Sequence, residues 1–303
     1  MPKMNIDTAT ASAATTTPAT AYTASPSTAR TENTPVARAQ ILYVTDPICS
    51  HCWAMEPGWR KLLYHYGDLI EVRHIYGGLV PGWEGFADRG AGIRGPADVA
   101  PHWEEVVERY GQPIDPSVWL RDPLSSSYPP SIAAHTVRLL APELEEAYLR
   151  RIRDALFLKA RNIARTDVLV ACAAEVGVDE SRFTAAYERG DGLAPFEADL
   201  ALLRELPVRG FPTLIVSGDE GAQPWIMRGT QPYFRLERAL RAVLGELPPE
   251  RSTAIDDVLA AYGSGTTPEF AAVLDLDLDE TAAVLRRAGM RERAVANSAW
   301  WTR

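Results

Sequence analysis

Two of the three cysteines in the 303-residue chain stand three positions apart, in the stretch TDPICSHCWAMEP. Cys49 and Cys52 could bind a metal, form an inert crosslink or exchange disulfides with other thiols. A structural zinc site needs four ligands, and neither Cys172 nor the histidines have a spacing that would complete one. A disulfide across so small a loop removes little entropy from the unfolded chain. We therefore favour thiol–disulfide exchange, and we expect no metal and no cofactor.

The immediate surroundings of the pair favour redox chemistry. The pair follows a short β-rich run and opens a predicted helix, whose free backbone amides and dipole favour a thiolate. Cys49 would then be the outer, attacking thiol with a lowered pKa, and Cys52, one turn further in, would resolve the mixed disulfide. Ser50 and His51 lie between them. An imidazole at that position can stabilise the thiolate, which makes the disulfide a stronger oxidant.

A proline far downstream is the second candidate feature of the site. Pro212 stands directly before a β-run in RGFPTLIV, and proline is tolerated at the start of a strand because it needs no ladder donor there. If the Phe211–Pro212 bond is cis, it is of the kind that folds retain for a site. A strand, a Cys-x-x-Cys pair and a helix, combined with this proline, indicate a redox site more strongly than either feature alone.

The elements that would position these residues follow an α/β order. AQILYVTD and IEVRHIYGG are typical of strands. Residues 53–66 between them have apolar positions close to a 3.6-residue period, with a kink expected at Pro57. A helical block is predicted over residues 97–206, after which FPTLIVSG, PWIMRG and PYFRLERALRAVLGEL indicate two strands and a helix. This order predicts a thioredoxin-like fold with a helical insertion over residues 39–247.

Both ends of the chain lie outside this pattern. Residues 1–38 are rich in Ala, Thr, Ser and Pro with almost no large apolar side chains, so we expect a disordered tail and no secretion signal. Residues 250–303 contain three short helical stretches, which predict a small helical module ending in the hydrophobic tail NSAWWTR. The module could be helix-turn-helix-like, although its acidic DLDLDE argues against DNA reading, or it could pack on the main domain or dock a partner.

Composition narrows the class of partner. The net charge is −9, which argues against nucleic acid or an anionic membrane as the main partner, because both require clustered Lys and Arg. No apolar run reaches the length of about 18 residues that indicates a transmembrane helix. One close cysteine pair and one distant cysteine are typical of a cytoplasmic protein and not of a disulfide-rich secreted domain.

The quoted stretches resemble a known family. The CSHC motif, the proline five residues after it and Pro212 together resemble the thioredoxin-fold oxidoreductases. The helical block between the two halves resembles the DsbA-like branch of that family. More narrowly, DPICSHCWAMEP with YGDLIEVRHIYGG resembles the FrnE/SpxH-like group, and the resemblance covers residues 40–245. The tail and the C-terminal module lie outside it.

The resemblance implies a role for individual residues. Pro212 would be a cis-proline facing the disulfide, and the backbone of Phe211 would pair with a bound substrate peptide by strand addition. The implied site comprises catalytic Cys49, Cys52, His51 and Pro212 and substrate-binding Phe211, Trp53 and Ser50.

Two functions stay open at this level. An oxidoreductase would act on protein thiols or disulfides. Some members of the SpxH-like group instead act as adaptors that hand a transcription regulator to the ClpXP protease, a role that depends on docking to a ClpX-type unfoldase more than on thiols. A glutathione-using isomerase is a third alternative, although that group typically has serine where Cys49 stands.

Other residues near the motif have both an ordinary and a functional interpretation. Glu56, four residues after Cys52, could shuttle protons for that thiol, or it could be a solvated carboxylate or a carboxylate in the first turn of a helix. Asp46 could hydrogen-bond the motif loop. Cys172 lies in an apolar helical stretch and is expected to be a small buried side chain. The glycine-rich GGLVPGWEGFADRGAGIRGP could flank the site or simply connect to the helical block.

Overall fold

The computed structural model of the protein describes residues 38–218 and 223–303. The disordered tail predicted for residues 1–38 therefore lies outside the described residues, apart from its last position. Within the two described ranges, no helix is both long enough and apolar enough to cross a lipid bilayer.

A four-stranded mixed sheet forms the centre of the fold. Its strands are Ala39–Thr45 (β1), Ile70–Tyr76 (β2), Thr213–Ser217 (β3) and Trp225–Arg228 (β4). Their order is β2–β1–β3–β4, with β1 parallel to β2 and β3 antiparallel to both of its neighbours. Most side chains of the inner strands β1 and β3 are buried. The predicted strands are confirmed.

The helix after β1 is interrupted. It consists of Ser50–Ala54 (α1) and Glu56–Tyr66 (α2), with Met55 between them. Pro57 lies in the first turn of α2, where its missing N–H has no intrahelical partner to lose. The kink predicted at Pro57 is therefore a break two residues earlier. This break makes the cysteine-bearing turn a separate short element.

The helical insertion predicted for residues 97–206 is confirmed. Its helices are Val99–Tyr110 (α3), Val118–Arg121 (α4), Tyr128–Leu140 (α5), Glu145–Arg153 (α6), Thr166–Glu175 (α7), Glu180–Arg189 (α8) and Leu193–Glu205 (α9). A π-helical turn, Asp154–Leu158, extends α6. These helices share one apolar core, which also contains Trp53 from the motif.

The last helix of the main fold is Tyr233–Leu244 (α10). It packs with α2 on one face of the sheet, where Leu236 and Leu240 share a core with Trp59 and Leu62 of α2 and with Leu214 of β3. The strand–helix–strand, insertion and strand–strand–helix order confirms the predicted thioredoxin-like fold.

The C-terminal region contains strands as well as helices. The three predicted helices are present as Ile255–Ala261 (α11), Thr267–Leu274 (α12) and Leu278–Arg287 (α13). The strands Ser264–Thr266 (β5), Arg291–Val295 (β6) and Ser298–Thr302 (β7) form an antiparallel sheet in the order β5–β7–β6.

The three predicted helices of the module are therefore accompanied by a three-stranded sheet that was not predicted. The stretch NSAWWTR, expected to be a tail, contains β7, and Trp301 within it is fully buried. A turn at Ala296 and Asn297 joins β6 to β7, with Ala296 in the left-handed region at φ 49°. The usual sequence signal of such a hairpin is Asn-Gly or Asp-Gly, and this turn lacks the glycine. The division of the chain into residues 39–247 and 250–303 stays a prediction.

Candidate active site

The cysteine pair lies where β1 runs into α1. Cys49 is the N-cap of α1, and its Sγ accepts a hydrogen bond from the backbone N–H of Cys52 at 3.2 Å. Both cysteines are free thiols. Cys49 is 5% exposed and lines a cavity of about 660 Å³, whereas Cys52 is fully buried behind it. Cys49 is thus the thiol that a substrate in the cavity can reach.

Segments distant in sequence from the cysteine pair form much of the cavity wall. Trp83 and Phe86 come from the glycine-rich loop after β2, His102 and Arg109 from α3, and Phe211 from the segment before β3. The wall is largely aromatic and aliphatic, with His and Arg side chains among the apolar ones. The glycine-rich loop therefore flanks the site, which was one of its two interpretations.

The Phe211–Pro212 peptide bond is cis. The Phe211 ring is part of the cavity wall and packs directly over Gly77, where a Cβ would stand only 2.0 Å from the ring. The Pro212 carbonyl accepts a hydrogen bond from the N–H of Gly229 at 2.8 Å. The segment on which the proline prediction depends therefore lies at the same cavity as Cys49.

A buried arginine that we did not identify from the sequence lies behind the pair. Arg153 at the end of α6 donates to Thr45 Oγ1 at 2.5 Å and to Glu56 Oε1 at 2.8 Å. It follows Leu149 by four residues and precedes Leu156 by three, so it is on the buried face of its helix. An arginine at a position where the helical period expects an apolar residue is the sequence signal that could have revealed it.

The pKa values of the two thiols shift in opposite directions. Burial raises the pKa of Cys49, and the hydrogen bond from its S–H to the sulfur of Cys52 raises it further. Burial also opposes ionisation of Cys52. However, that same hydrogen bond, the positive charge of Arg153 and a hydrogen bond from Thr45 together lower the pKa of Cys52 below its ordinary value. Of the two thiols, the inner one therefore loses its proton more readily.

This result corrects the expectation that the start of the helix lowers the pKa of Cys49. The Cys49 sulfur does accept one helix amide, but it is almost completely removed from water. Desolvation of a charged sulfur outweighs a single amide hydrogen bond. Cys49 therefore holds its proton more firmly than the inner thiol does.

His51 carries little positive charge near neutral pH. Burial lowers its pKa, and the neighbouring His102 and Arg109 lower it further. Its ring lies 5.6 Å from that of His102 and 5.7 Å from that of Tyr110, measured between centroids. The thiolate is therefore stabilised from Arg153, on the opposite side, and not by an imidazolium at His51.

Asp46 holds the motif loop in place. Its carboxylate accepts hydrogen bonds from the N–H groups of Ile48 at 3.0 Å and Leu79 at 2.7 Å and from the hydroxyl of Ser127 at 2.9 Å. Burial raises its pKa to about 6. The predicted hydrogen bonding to the loop is confirmed.

Trp53 and Glu56, which follow the cysteine pair, are both buried. Trp53 is fully buried, stacks on Phe157 and donates from Nε1 to the Pro113 carbonyl at 2.9 Å, so the prediction that it binds substrate is wrong. Glu56 lies in the first turn of α2, as one of its interpretations had it, but it is buried and pairs with Arg153 at 2.8 Å and Arg150 at 3.4 Å. A proton shuttle at Glu56 would have to break these ion pairs.

The remaining site residues are simpler to place. Ser50 lines the cavity beside Cys49. Cys172 is fully buried in α7, as expected, and burial raises its pKa to about 11, so it stays protonated at neutral pH. Across residues 38–218 and 223–303, no three metal-binding side chains come together in a way that could hold an ion.

A sheet of this order, with a Cys-x-x-Cys turn opening a helix and a cis-proline segment at the same cavity, defines a thioredoxin-fold protein. Comparison with known proteins agrees. A family model described as Thioredoxin matches residues 42–236. The ClpXP adapter protein SpxH of Halalkalibacterium halodurans is 30% identical over 257 residues, 84% of each chain. The ClpXP adapter protein SpxH of Bacillus subtilis is 24% identical, again over 84% of each chain.

Solved structures give the same result. The cytosolic disulfide reductase DsbM of Pseudomonas aeruginosa is 26% identical with a TM-score of 0.53, covering 67% of this chain and 98% of that one. The chain therefore belongs to the DsbA-like thioredoxin-fold family, in its SpxH-like group.

Proposed function

We propose that the protein is a thiol–disulfide oxidoreductase that acts on protein thiols or disulfides through Cys49 and Cys52. The observation that carries this proposal is that the two sulfurs of the pair have different surroundings. One sulfur lines an open cavity. The other lies within hydrogen-bonding reach of it, and that hydrogen bond and a buried arginine lower the pKa of this inner thiol. In such a pair a proton can pass from Cys49 to Cys52, so that the nucleophilic thiolate forms at the sulfur that lines the cavity.

Reduction of a substrate disulfide starts with transfer of the Cys49 proton to the Cys52 thiolate. The Cys49 thiolate attacks one substrate sulfur, the substrate S–S bond breaks, and a mixed disulfide forms while the first substrate thiolate leaves. That thiolate takes the proton of Cys52. The Cys52 thiolate then attacks the Cys49 sulfur, which closes the Cys49–Cys52 disulfide and releases the second substrate sulfur as a thiolate. Two electrons have passed to the substrate.

The cavity wall would hold the substrate. The backbone of Phe211 would pair with an extended peptide, and Ser50 would contact it beside the reacting sulfur. His51 would contribute a neutral imidazole. The likeness to a cytosolic disulfide reductase supports the reducing direction and a cytoplasmic location for this chain.

The test is a protein-disulfide reduction assay with insulin as the substrate. Cys49→Ala should abolish activity. Cys52→Ala should trap a mixed disulfide with the substrate that can be seen by mass spectrometry. Cys172→Ser should reduce insulin at the wild-type rate because that thiol is buried and protonated. Full activity of Cys49→Ala would refute the proposal.

The second candidate function is that of a ClpXP adaptor, which the SpxH relatives support. A feature that favours docking is the exposed edge strand β4, which carries Trp225, 39% exposed, with Phe234 on α10 62% exposed. Binding to a ClpX-type unfoldase or to a transcription regulator that survives Cys49→Ala/Cys52→Ala but is lost in Trp225→Ser/Phe234→Ser would favour the adaptor. Loss of binding with the cysteines alone would argue for a redox-dependent contact.

A further inference from the structure

A buried carboxylate of the C-terminal region meets the main fold close to the cysteine pair. Glu269, on α12, is 1% exposed, and it lies outside the residues matched by the family model. Its oxygens accept from Arg60 of α2 at 2.6 Å, from Arg150 of α6 at 2.6 and 3.0 Å, and from Gln112 at 2.8 Å. The two arginines lower its pKa to about 2, against the effect of burial.

Arg150 connects this carboxylate to the motif. The same Nη1 that binds Glu269 lies 3.4 Å from Glu56 Oε2, and Nε binds Asp154 at 2.8 Å. The guanidinium stands 4.7 Å from the ring centroid of Trp53, the residue after the second cysteine. Arg150 is therefore shared between a carboxylate of the C-terminal region and one directly behind the motif.

Glu56 is likewise shared between two arginines. It pairs with Arg150 on one side and with Arg153 on the other, and Arg153 continues to Thr45 beneath the cysteines. Charges of alternating sign thus run from Glu269 through Arg150, Glu56 and Arg153 to the Cys52 sulfur. All of these groups are buried or nearly so, and interactions between buried charges are screened far less than those on the surface.

We propose that Glu269 is a positioning residue that sets the redox equilibrium of the Cys49–Cys52 pair through this chain of charges, an inference that rests on the proposed redox function. The Glu269 carboxylate binds Arg150, so the Glu56 carboxylate interacts mainly with Arg153 and neutralises its charge. If its charge is removed, Arg150 turns towards Glu56, the charge of Arg153 is less compensated, and the thiolate is stabilised. The reduced pair is then favoured over the disulfide.

The experiment uses the full-length chain equilibrated in glutathione redox buffers, with the thiolate also titrated by its ultraviolet absorbance. Glu269→Gln should move the dithiol–disulfide equilibrium constant by about threefold or more towards the reduced form and lower the pKa of the Cys52 thiol. Arg60→Gln should move both quantities the opposite way. Loss of Arg60 removes a positive charge and leaves Glu269 to hold Arg150 more firmly away from Glu56.

The opposite signs of the two expected shifts distinguish an electrostatic role of Glu269 from a purely structural one. Both substitutions weaken the same contact between α12 and α2, so a purely structural role would shift the equilibrium in one direction for both. Asp275→Asn is the matched control, because Asp275 pairs with Lys61 in the same contact region and has no bond to Arg150. It should leave the equilibrium constant unchanged. If Glu269→Gln does not fold, the sign of the Arg60→Gln shift carries the test.

Each result has a defined meaning. Shifts of equal sign in the two variants, or no shift in either, would overturn the inference while leaving the wild-type couple and the proposed function intact. A wild-type chain in which Cys49 and Cys52 form no reversible disulfide would instead refute the proposed function, and this inference with it. A reduced effect of Glu269→Gln in a Glu56→Gln background would support transmission through Glu56.

Discussion

The two sides of the cysteine pair differ in kind. In front of Cys49 lies an open, mostly apolar cavity whose nearest titratable ring, His51, has a lowered pKa. Behind Cys52 lies a water-excluded cluster of ion pairs centred on Arg153. The comparison shows that substrate reaches the pair from one face of the short helix α1, whereas the groups that stabilise a thiolate lie on the other face. A substrate can reach the outer sulfur without displacing the groups that stabilise the inner one.

The largest expected effect comes from removing the charge behind the pair. Arg153→Met leaves Glu56 without its closest partner in a buried site, which should destabilise the reduced protein by about 3–5 kcal/mol. It should also raise the pKa of Cys52. Urea unfolding and thiol titration measure the two effects. Arg151→Met, on the same helix but directed at Glu175, is the control and should cost less. Equal losses in both variants would contradict a special role for Arg153.

A change in the cavity wall in front of Cys49 should affect turnover and leave the thiol pKa unchanged. In Gly77→Ala the new methyl group would clash with the Phe211 ring and displace it from the cavity wall. We expect kcat/KM for insulin to fall about tenfold, because misplaced substrate contacts slow the reaction, while the thiol pKa stays the same. Gly82→Ala, in the glycine-rich loop with open space around it, is the matched control. An altered thiol pKa in Gly77→Ala would show that the two sides are coupled.

Two buried carboxylates, Asp46 in the motif loop and Glu269 behind the pair, should titrate in opposite senses. Burial without a cation bound to it raises the pKa of Asp46 from 3.8 to about 6. Because the folded-state pKa is the higher one, this group's contribution is fully present below about pH 4 and is lost as pH rises through 6. The loss amounts to about 3 kcal/mol. Unfolding free energies between pH 4 and 7 should show this downward slope, and Asp46→Asn should flatten it.

Glu269 should behave in the reverse way. Its folded-state pKa of about 2 lies below the ordinary 4.5, so its contribution is present above pH 4.5 and is lost as pH falls towards 2. Glu269→Gln should therefore flatten the acid limb of the stability curve, measured by the same unfolding experiments. A Glu269→Gln curve that runs parallel to the wild type below pH 4.5 would contradict the ion-pair explanation.

The smallest effect should come from His51. Because its ring is mostly uncharged at pH 7, His51→Asn should change the dithiol–disulfide equilibrium by less than about threefold, whereas loss of a charged neighbour typically changes it by about tenfold. Glutathione equilibration measures the change. In an Arg109→Gln background, where one cause of the lowered His51 pKa is removed, the same substitution should have a larger effect. A tenfold effect in the wild-type background would show that His51 is charged.

Much of the fold and the front of the site could be predicted from local patterns. The order of strands and helices, the Cys49–Cys52 pair and the segment at Phe211 all leave short-range signals in spacing, apolar period or proline position. The sheet in the C-terminal region was missed because its hairpin turn lacks a glycine. Trp53 was assigned to substrate because it is next to the motif, whereas its position on α1 turns it into the core of the insertion.

The amino-acid order by itself determined which atoms can react, since the positions of Cys49 and Cys52 at the start of a helix follow from local periodicity. The tertiary structure alone decided which of the two thiols has the lower pKa. Arg153, Glu56 and Glu269 come from three separate parts of the chain, and the pKa of each thiol depends on their distance and on the exclusion of water. Electrostatic energies inside a protein depend on three-dimensional position, which no spacing along the chain encodes.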